Sequence, residues 1–500
     1  MQLPWARRTV PENRLFLAVL VICVSFAAVA SLLIGLRQSV WFDEAYSILL
    51  AKHSVAELIR LTGLDTHPPF YYLLLKGWAS LFGWSELSLR ILSVASMSGA
   101  FVVGGLLVRK MFGSKVAIGT VVLFALSPLL LRYGFEIRMY SLASFIGVSA
   151  TYCLYSAYKT KENRYKWLIG YGLLVALGVF TLYYLVLLWV AHVAWLVILA
   201  IQKKRRVSSL MPYLYAYIGA IVLFLPWLPT FLKQVSNDAL APIGQPMNYE
   251  QLSGVLSFNT LYQPTYGLTV ILTIVILAFI AAIVWSLKKS GGILRKHPDE
   301  LSLLGAYIGV PIAMLMGISL VKSMYTERYL SHVAISLVML IGIAVSTALA
   351  QHLKRSQRIA VIVVVYGTML IGFCNIATSG NFNFQRNEHP TVKQAAANIH
   401  DCGPDAQIIA ADPYVMTELS YYVTDCQTYF VSEWPTLAGG YAPWSGSKYQ
   451  IKHTSDITSS RVTYVYYGTP DQTMPASYKE IATRAYGSLH VTTYERASAE

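Results

Sequence analysis

The amino-acid sequence predicts a mostly α, polytopic transmembrane helical bundle of about eleven spans. Interfacial helices are expected in its first outside loop, and a small α/β domain at its C-terminus. Three observations carry this. The 500 residues are 55% hydrophobic but only 13% charged, against roughly 25% charged in a soluble domain, so polar surface is too scarce to cover a soluble globule. The apolar residues gather into long runs, and a helix crossing the ~30 Å hydrocarbon core needs about 20 such residues. Finally, Lys and Arg concentrate in the short segments between runs, the pattern of cytoplasmic loops.

The spans read as 15–36, 88–108, 116–131, 139–158, 167–182, 184–201, 210–231, 268–287, 301–321, 329–350 and 359–378. The first follows Arg7, Arg8 and Arg14 and contains Ala28-Val29-Ala30, like a signal peptide. Its apolar run continues through Leu36, so a retained helix is expected. The stretch from Trp167 to Ile201 has no Asp, Glu, Lys or Arg and is barely long enough for two crossings. Charge decides the matter. Basic clusters precede it (Lys159, Lys161, Arg164, Lys166) and follow it (Lys203, Lys204, Arg205, Arg206), so it crosses twice with a tight turn near Thr181–Tyr184.

Eleven spans put the basic clusters at 7–14, 109–115, 159–166, 203–206, 288–296 and 354–358 on one side. The N-terminus is then cytoplasmic, and the loops 37–87, 132–138, 232–267 and 322–328 lie outside with the tail. The expected localisation is the plasma (inner) membrane. The formal charge of +14 is thereby spent on topology; no continuous basic face points to nucleic acid.

The expected division is a transmembrane catalytic domain, 1–378, and an extracytoplasmic soluble α/β domain, 379–500. In the tail, 407–410 and 461–466 look like strands, and 391–399 and 414–422 like helices. Cys402 and Cys426 lie there and could pair in an oxidising compartment; Cys23, Cys153 and Cys374 fall in apolar runs. The five cysteines have no metal-ligand spacing, no metal site is expected, and any need for a divalent metal stays open.

Three charged clusters are candidates for chemistry. The first outside loop opens with Trp41-Phe42-Asp43-Glu44-Ala45-Tyr46. Paired carboxylates just past a span are costly at the interface. They suit a general base, and equally a helix N-terminus. The loop continues Asp65-Thr66-His67-Pro68-Pro69-Phe70, where His67 could bind substrate, handle protons or merely cap a turn; residues 71–82 read as an amphipathic surface helix. The next outside turn, Arg132 to Ser141, holds Arg132, Glu136, Arg138 and Tyr140. Arginine's planar fork suits phosphate, although Arg and Tyr also serve as interfacial anchors. Lys322 to Tyr329 forms a third cluster with Glu327 and Arg328.

The order of these motifs resembles the GT-C glycosyltransferases: Trp41 to Ser47, then His67-Pro68-Pro69-Phe70-Tyr71-Tyr72, then 82–90, then Glu136-Ile137-Arg138-Met139-Tyr140-Ser141-Leu142. More narrowly it is similar to the bacterial branch related to protein O-mannosyltransferases and the lipid A aminoarabinose transferase. Leu225-Pro226-Trp227-Leu228-Pro229 and Glu327-Arg328-Tyr329-Leu330 also look like landmarks of that group. The resemblance spans about 40–330; where many relatives have a Thr-His-Tyr-Tyr-like string, this chain reads Thr181-Leu182-Tyr183-Tyr184.

The resemblance implies a lipid-phosphate-sugar-dependent glycosyltransferase, inverting, that takes a hexose or pentose from a polyprenyl-phosphate-linked donor. The acceptor would be a glycan, lipid or protein hydroxyl on the outer face. By carry-over, Asp43 is the base with Glu44 in support, and Arg138 clamps the donor phosphate with Arg328 as a second candidate; His67, Glu136 and Tyr140 are the residues expected to bind substrate. No cofactor is expected, and the other partners are membrane lipids. The chemistry is consistent: a phosphate-activated sugar needs a base for the acceptor and charge stabilisation for the leaving phosphate. A transporter or flippase for a lipid-linked glycan is the alternative, but it would be expected to carry charges at the midplane and an internal repeat, and neither is visible. A receptor-like scaffold leaves the acidic pair without a task.

Overall fold

The computed structural model describes residues 10–160, 162–204, 207–236, 259–262, 270–321, 326–378, 391–399, 402–403, 405–434, 437 and 439–497. Lys322 and the basic residues Arg205 and Arg206 lie outside these. The chain forms two compact units. One comprises Met1–Ile34, Arg90–Leu228 and Pro242–Thr378; the other comprises Gly35–Leu89, Pro229–Ala241 and Ser379–Glu500.

The first unit is helical, as hydrocarbon requires of a backbone that must satisfy its own hydrogen bonds. Seven helices among the described residues are long and apolar enough to cross a membrane, or up to eight if one bent pair is a single span. Helices also occupy the expected segments near 140–159, 164–181 and 270–289, which are not among those seven. The apolar stretch from Trp167 to Ile201 does break: one helix ends at Thr181, Leu182 is extended, and the next begins at Leu185.

The bent pair, Ser114–Leu126 and Pro128–Gly134, turns through 61°. Its cause is Pro128. The residue before a proline is pushed out of the helical region, and Ser127 sits at φ −70°, ψ 113°. Pro128 then starts a new helix, where its missing N–H costs nothing. That bend delivers Arg132 to the turn before the Tyr140–Lys159 helix.

Basic residues of separate loops meet acidic partners. Lys159 pairs with Glu300 at 2.8 Å, and Lys203 pairs with Asp299. Near the N-terminus, Lys115 pairs with Glu12 at 3.3 Å and Arg109 donates to Asn13 at 2.9 Å.

The second unit joins the first loop to the tail. Its loop part contains helices Phe42–Lys52, Val55–Thr62 and Phe70–Phe82; the last leaves Leu81 and Phe82 exposed. The tail part is a six-stranded sheet with β1 (Ala406–Ala410), β2 (Thr428–Val431), β3 (Gln450–Ile451), β4 (Arg461–Tyr467), β5 (Tyr478–Tyr486) and β6 (Leu489–Arg496), ordered β3-β2-β1-β4-β6-β5. Strands β3, β2, β1 and β4 are parallel; β6 and β5 extend the sheet antiparallel. The crossover from β1 to β2 runs through the Pro413–Tyr422 helix, capped by Asp412, whose carboxylate accepts from the Val415 N–H at 2.8 Å. A two-residue turn joins β5 and β6, with Gly487 at φ 62°, a conformation glycine adopts without strain.

Cys402 and Cys426 form a disulfide with Cα atoms 5.7 Å apart, tying the segment before β1 to the one before β2. The bridge spans 24 residues, and closing a loop of that size contributes about 2–4 kcal/mol. Replacing both cysteines by serine is therefore expected to lower the thermal midpoint of the tail in a melt followed by limited proteolysis. An unchanged midpoint, with or without reductant, would assign the bridge no stabilising part.

Candidate active site

In the second unit, Asp43 and Glu44 occupy the first turn of the Phe42–Lys52 helix, where carboxylates complement the helix dipole. They divide their labour. Glu44 is buried, and its Oε2 turns back to accept the N–H of Trp41 at 3.2 Å, closing the helix start. Asp43 is half-buried. The Phe42 ring packs on Tyr414 (centroids 5.0 Å) and Tyr441 (6.2 Å), and Tyr46 packs on Tyr441 at 5.5 Å. Burial pushes the Tyr441 hydroxyl well above the usual phenol range, and the Asp43 carboxylate pushes it further; Tyr414 is raised by burial, Asp412 and Asp43. The Asp43 charge thus acts on two phenols of the tail.

His67 lies in the same unit, linked through aromatic residues. Tyr46 meets Tyr72 edge-on at 6.5 Å, and the Tyr72 hydroxyl donates to Asp65 Oδ2 at 3.4 Å. Asp65 is fully buried, accepts the Thr66 N–H at 2.5 Å, and stands 3.5 Å from His67 Nδ1. Gln234 anchors this turn by donating to the carbonyls of Asp65 and Thr62 at 2.7 and 2.8 Å. The same His67 ring nitrogen lies 3.0 Å from Thr66 Oγ1, so Asp65 and Thr66 together flank His67. The motif string contained both, but their placement needed the turn geometry to appear.

In the first unit, the Arg132–Ser141 segment is buried. Arg132 Nη1 pairs with Glu136 Oε2 at 2.9 Å. The Arg138 N–H donates to the Glu136 carbonyl at 2.7 Å, folding the turn tightly, and the Ser93 hydroxyl donates to that same carbonyl. Arg138 itself is 3% exposed. A further arginine, unremarked as a site residue from sequence, joins the cluster. Arg90 is fully buried, donates to the Phe135 carbonyl at 3.3 Å, and stacks over the Phe135 ring at 5.5 Å; Arg132 stacks on the same ring at 5.4 Å. Tyr140 packs on Tyr133 at 5.1 Å. Arg328 lies over the Tyr329 ring, which stacks on Tyr184 at 4.1 Å.

Glu136 is the partner of Arg132 here. Removing one member of a buried pair costs about 3–5 kcal/mol, so Glu136→Leu should sharply lower the melting temperature, and Glu136→Gln, which can still accept a hydrogen bond, should lower it less. Equal melting for wild type and Glu136→Leu would remove the pair from the fold's support. Among the described residues, no group of three or more His, Cys, Asp or Glu side chains is arranged to hold a metal ion.

The family model described as dolichyl-phosphate-mannose-protein mannosyltransferase matches residues 66–229. The fold matches solved structures along nearly its whole length. ArnT from Cupriavidus metallidurans in the apo state aligns with a TM-score of 0.63 at 12% identity, covering 95% of this chain and 97% of that one. The chain shares its fold with this ArnT. The same ArnT bound to undecaprenyl phosphate aligns equally well, at 13% identity over 97% of this chain and 98% of the other. The archaeal oligosaccharyltransferase AglB from Archaeoglobus fulgidus, solved with an inhibitory peptide and a dolichol-phosphate, aligns with a TM-score of 0.55 at 13% identity, covering 92% of this chain and 70% of that one. No curated protein matches the chain by sequence. With seven helices among its described residues long and apolar enough to cross a membrane, the chain is a multi-pass membrane protein.

Proposed function

We propose that this chain transfers a sugar from a polyprenyl-phosphate-linked donor to an acceptor hydroxyl on the outer face of the membrane. The observation that carries the reading is the division between the two adjacent carboxylates. Glu44 is committed to the helix start, whereas half-buried Asp43 lies among the phenols of the tail. A carboxylate held in this way suits deprotonation of an acceptor hydroxyl. Asp43 is the proposed base and Glu44 its support. Arg138 is the proposed clamp on the donor phosphate, with Arg328 as second candidate. Tyr140, His67 and Glu136 are proposed to contact substrate, His67 flanked by Asp65 and Glu136 held by its pair with Arg132. The transfer is inverting in this scheme, a single displacement in which the phosphate leaves as the acceptor oxygen arrives.

The undecaprenyl phosphate bound by ArnT and the dolichol-phosphate bound by AglB support a lipid-linked donor. The acceptor is a glycan, lipid or protein. Mass spectrometry of surface glycans from cells with and without the gene tests the reading: a sugar missing from one envelope glycan is expected, and identical profiles would contradict it.

The proposed arrangement has eleven spans, a cytoplasmic N-terminus, a catalytic domain over 1–378 and an extracytoplasmic tail from 379, in the plasma membrane. The Lys159–Glu300 and Lys203–Asp299 pairs support gathering those basic loops on one side, and the Cys402–Cys426 disulfide supports an oxidising compartment for the tail. In a chain lacking Cys23, Cys153 and Cys374, a membrane-impermeant thiol reagent is expected to label Lys448→Cys in intact cells, and Lys115→Cys only after permeabilisation. Labelling in the reverse pattern would invert the topology.

A further inference from the structure

The sheet of the tail has a feature that the transferase reading leaves unused. Strand order reverses at β1: the chain steps from β1 to β2 on one side, and later returns to β4 on the other. In open parallel sheets, the crevice beyond the carboxyl ends of the strands at such a reversal is where ligands bind, because the loops there diverge. Here that crevice is a cavity of about 540 Å³, within the range of small-molecule sites. It is lined by residues that follow β1, β2 and β4, among them Asp412, Tyr414, Glu433, Trp434, Tyr441 and Asp471.

The chemistry of that lining is selective. Three carboxylates contribute, and no lysine or arginine is among the described lining residues. An anionic ligand would be repelled, whereas hydroxyls or ammonium groups can donate to carboxylates. Trp434 is 72% exposed and Tyr414 40% exposed, offering flat rings for the C–H faces of a sugar, while Tyr441 is only 7% exposed. Glu433 is held at the rim by Gln472, whose Nε2 donates to Oε1 at 3.0 Å. Tyr414 and Tyr441 are also the rings that pack on Phe42, next to Asp43. The cavity and the proposed base therefore share a wall within one unit.

We infer that this cavity is a subsite for a neutral or amino-sugar glycan, the acceptor of the transfer. Sugar rings stack on Trp434 and Tyr414 and donate hydroxyls to Asp412, Glu433 and Asp471. The inference rests on the transferase reading and narrows its acceptor from glycan, lipid or protein to glycan. It also predicts exclusion of phosphorylated or sulfated glycans at this point.

The test uses full-length protein in detergent on an array of neutral, amino-bearing, and sulfated or phosphorylated oligosaccharides. Titrations of the best binder into wild type, Trp434→Ala and Asp471→Asn follow. Binding confined to neutral or amino glycans is expected, weakened about tenfold or more by Trp434→Ala and measurably by Asp471→Asn, with melting temperatures unchanged because Trp434 is exposed. No binding by wild type, binding only to anionic glycans, or variants that bind as wild type does would each overturn the subsite. Turnover of a panel of short-chain polyprenyl-phosphate hexoses and pentoses is measured in parallel. Turnover without glycan binding would remove the subsite and leave the transferase; glycan binding without turnover of any such donor would do the reverse.

Discussion

Asp43→Asn is expected to abolish sugar transfer while leaving expression, membrane insertion and melting temperature unchanged. The substitution preserves the size of the side chain and removes only its capacity to accept a proton. Loss of a general base typically costs about 10²–10⁴ in rate. The first turn of the Phe42–Lys52 helix should survive, since its closing contact comes from Glu44 to the Trp41 N–H rather than from Asp43. Glu44→Gln is the informative partner: its amide oxygen can still accept that hydrogen bond, so a much smaller loss is expected. Equal losses in the two variants would make the pair a structural unit, and activity within a factor of two or three in Asp43→Asn would remove Asp43 from the mechanism.

The second large effect concerns Arg138. A guanidinium grips phosphate through two parallel N–H bonds, which an ammonium cannot reproduce. Arg138→Lys should therefore keep the charge and still lose donor affinity, and Arg138→Ala should lose more. Charge-assisted contacts of this kind contribute about 1.5–3 kcal/mol, or roughly ten- to hundredfold. If the contact also steadies the leaving phosphate, part of the loss appears in turnover as well as in binding. An anchoring role alone predicts equal binding of a short-chain polyprenyl phosphate by all three proteins. That result would turn attention to Arg328, which lies over the Tyr329 ring beside Tyr184.

Much of the fold was legible because membrane helices are dictated by local composition. The break at Leu182 follows from the charge on either side of an uncharged stretch too long for one crossing. The helix start at Phe42 was visible as one reading of the Asp43-Glu44 pair, and both carboxylates proved to lie in its first turn. In the tail, strand-like runs matched β1 and β4, and the helix expected over 414–422 begins one residue earlier, at Pro413. The short expected span at 116–131 was less legible: Ser127-Pro128 splits it into a bent pair, a local signal that the hydropathy run conceals.

Features that depend on residues remote in sequence were not legible. Nothing local says that the first loop packs with the tail, or that Tyr414 and Tyr441 stack on Phe42. Arg90 ends a motif and reads as one basic residue at the start of a span; only its contacts with Phe135 reveal a member of the arginine cluster. Asp65 was in plain view two residues from His67, yet only the Gln234-anchored turn brings its carboxylate to the ring. The antiparallel β5–β6 hairpin escaped notice as well, since β5 is exposed along most of its length and lacks alternation.

The central claim is chemical: the protein breaks the bond between a sugar and a lipid phosphate. The most direct measurement places purified protein in vesicles containing a synthetic polyprenyl-phosphate sugar, adds an envelope glycan extract, and follows the lipid by mass spectrometry. The expected result is conversion of the donor to free polyprenyl phosphate, dependent on the extract and absent with Asp43→Asn. Intact donor that merely changes leaflet, at the same rate in wild type and Asp43→Asn, would contradict the account and identify a lipid-linked-sugar flippase instead.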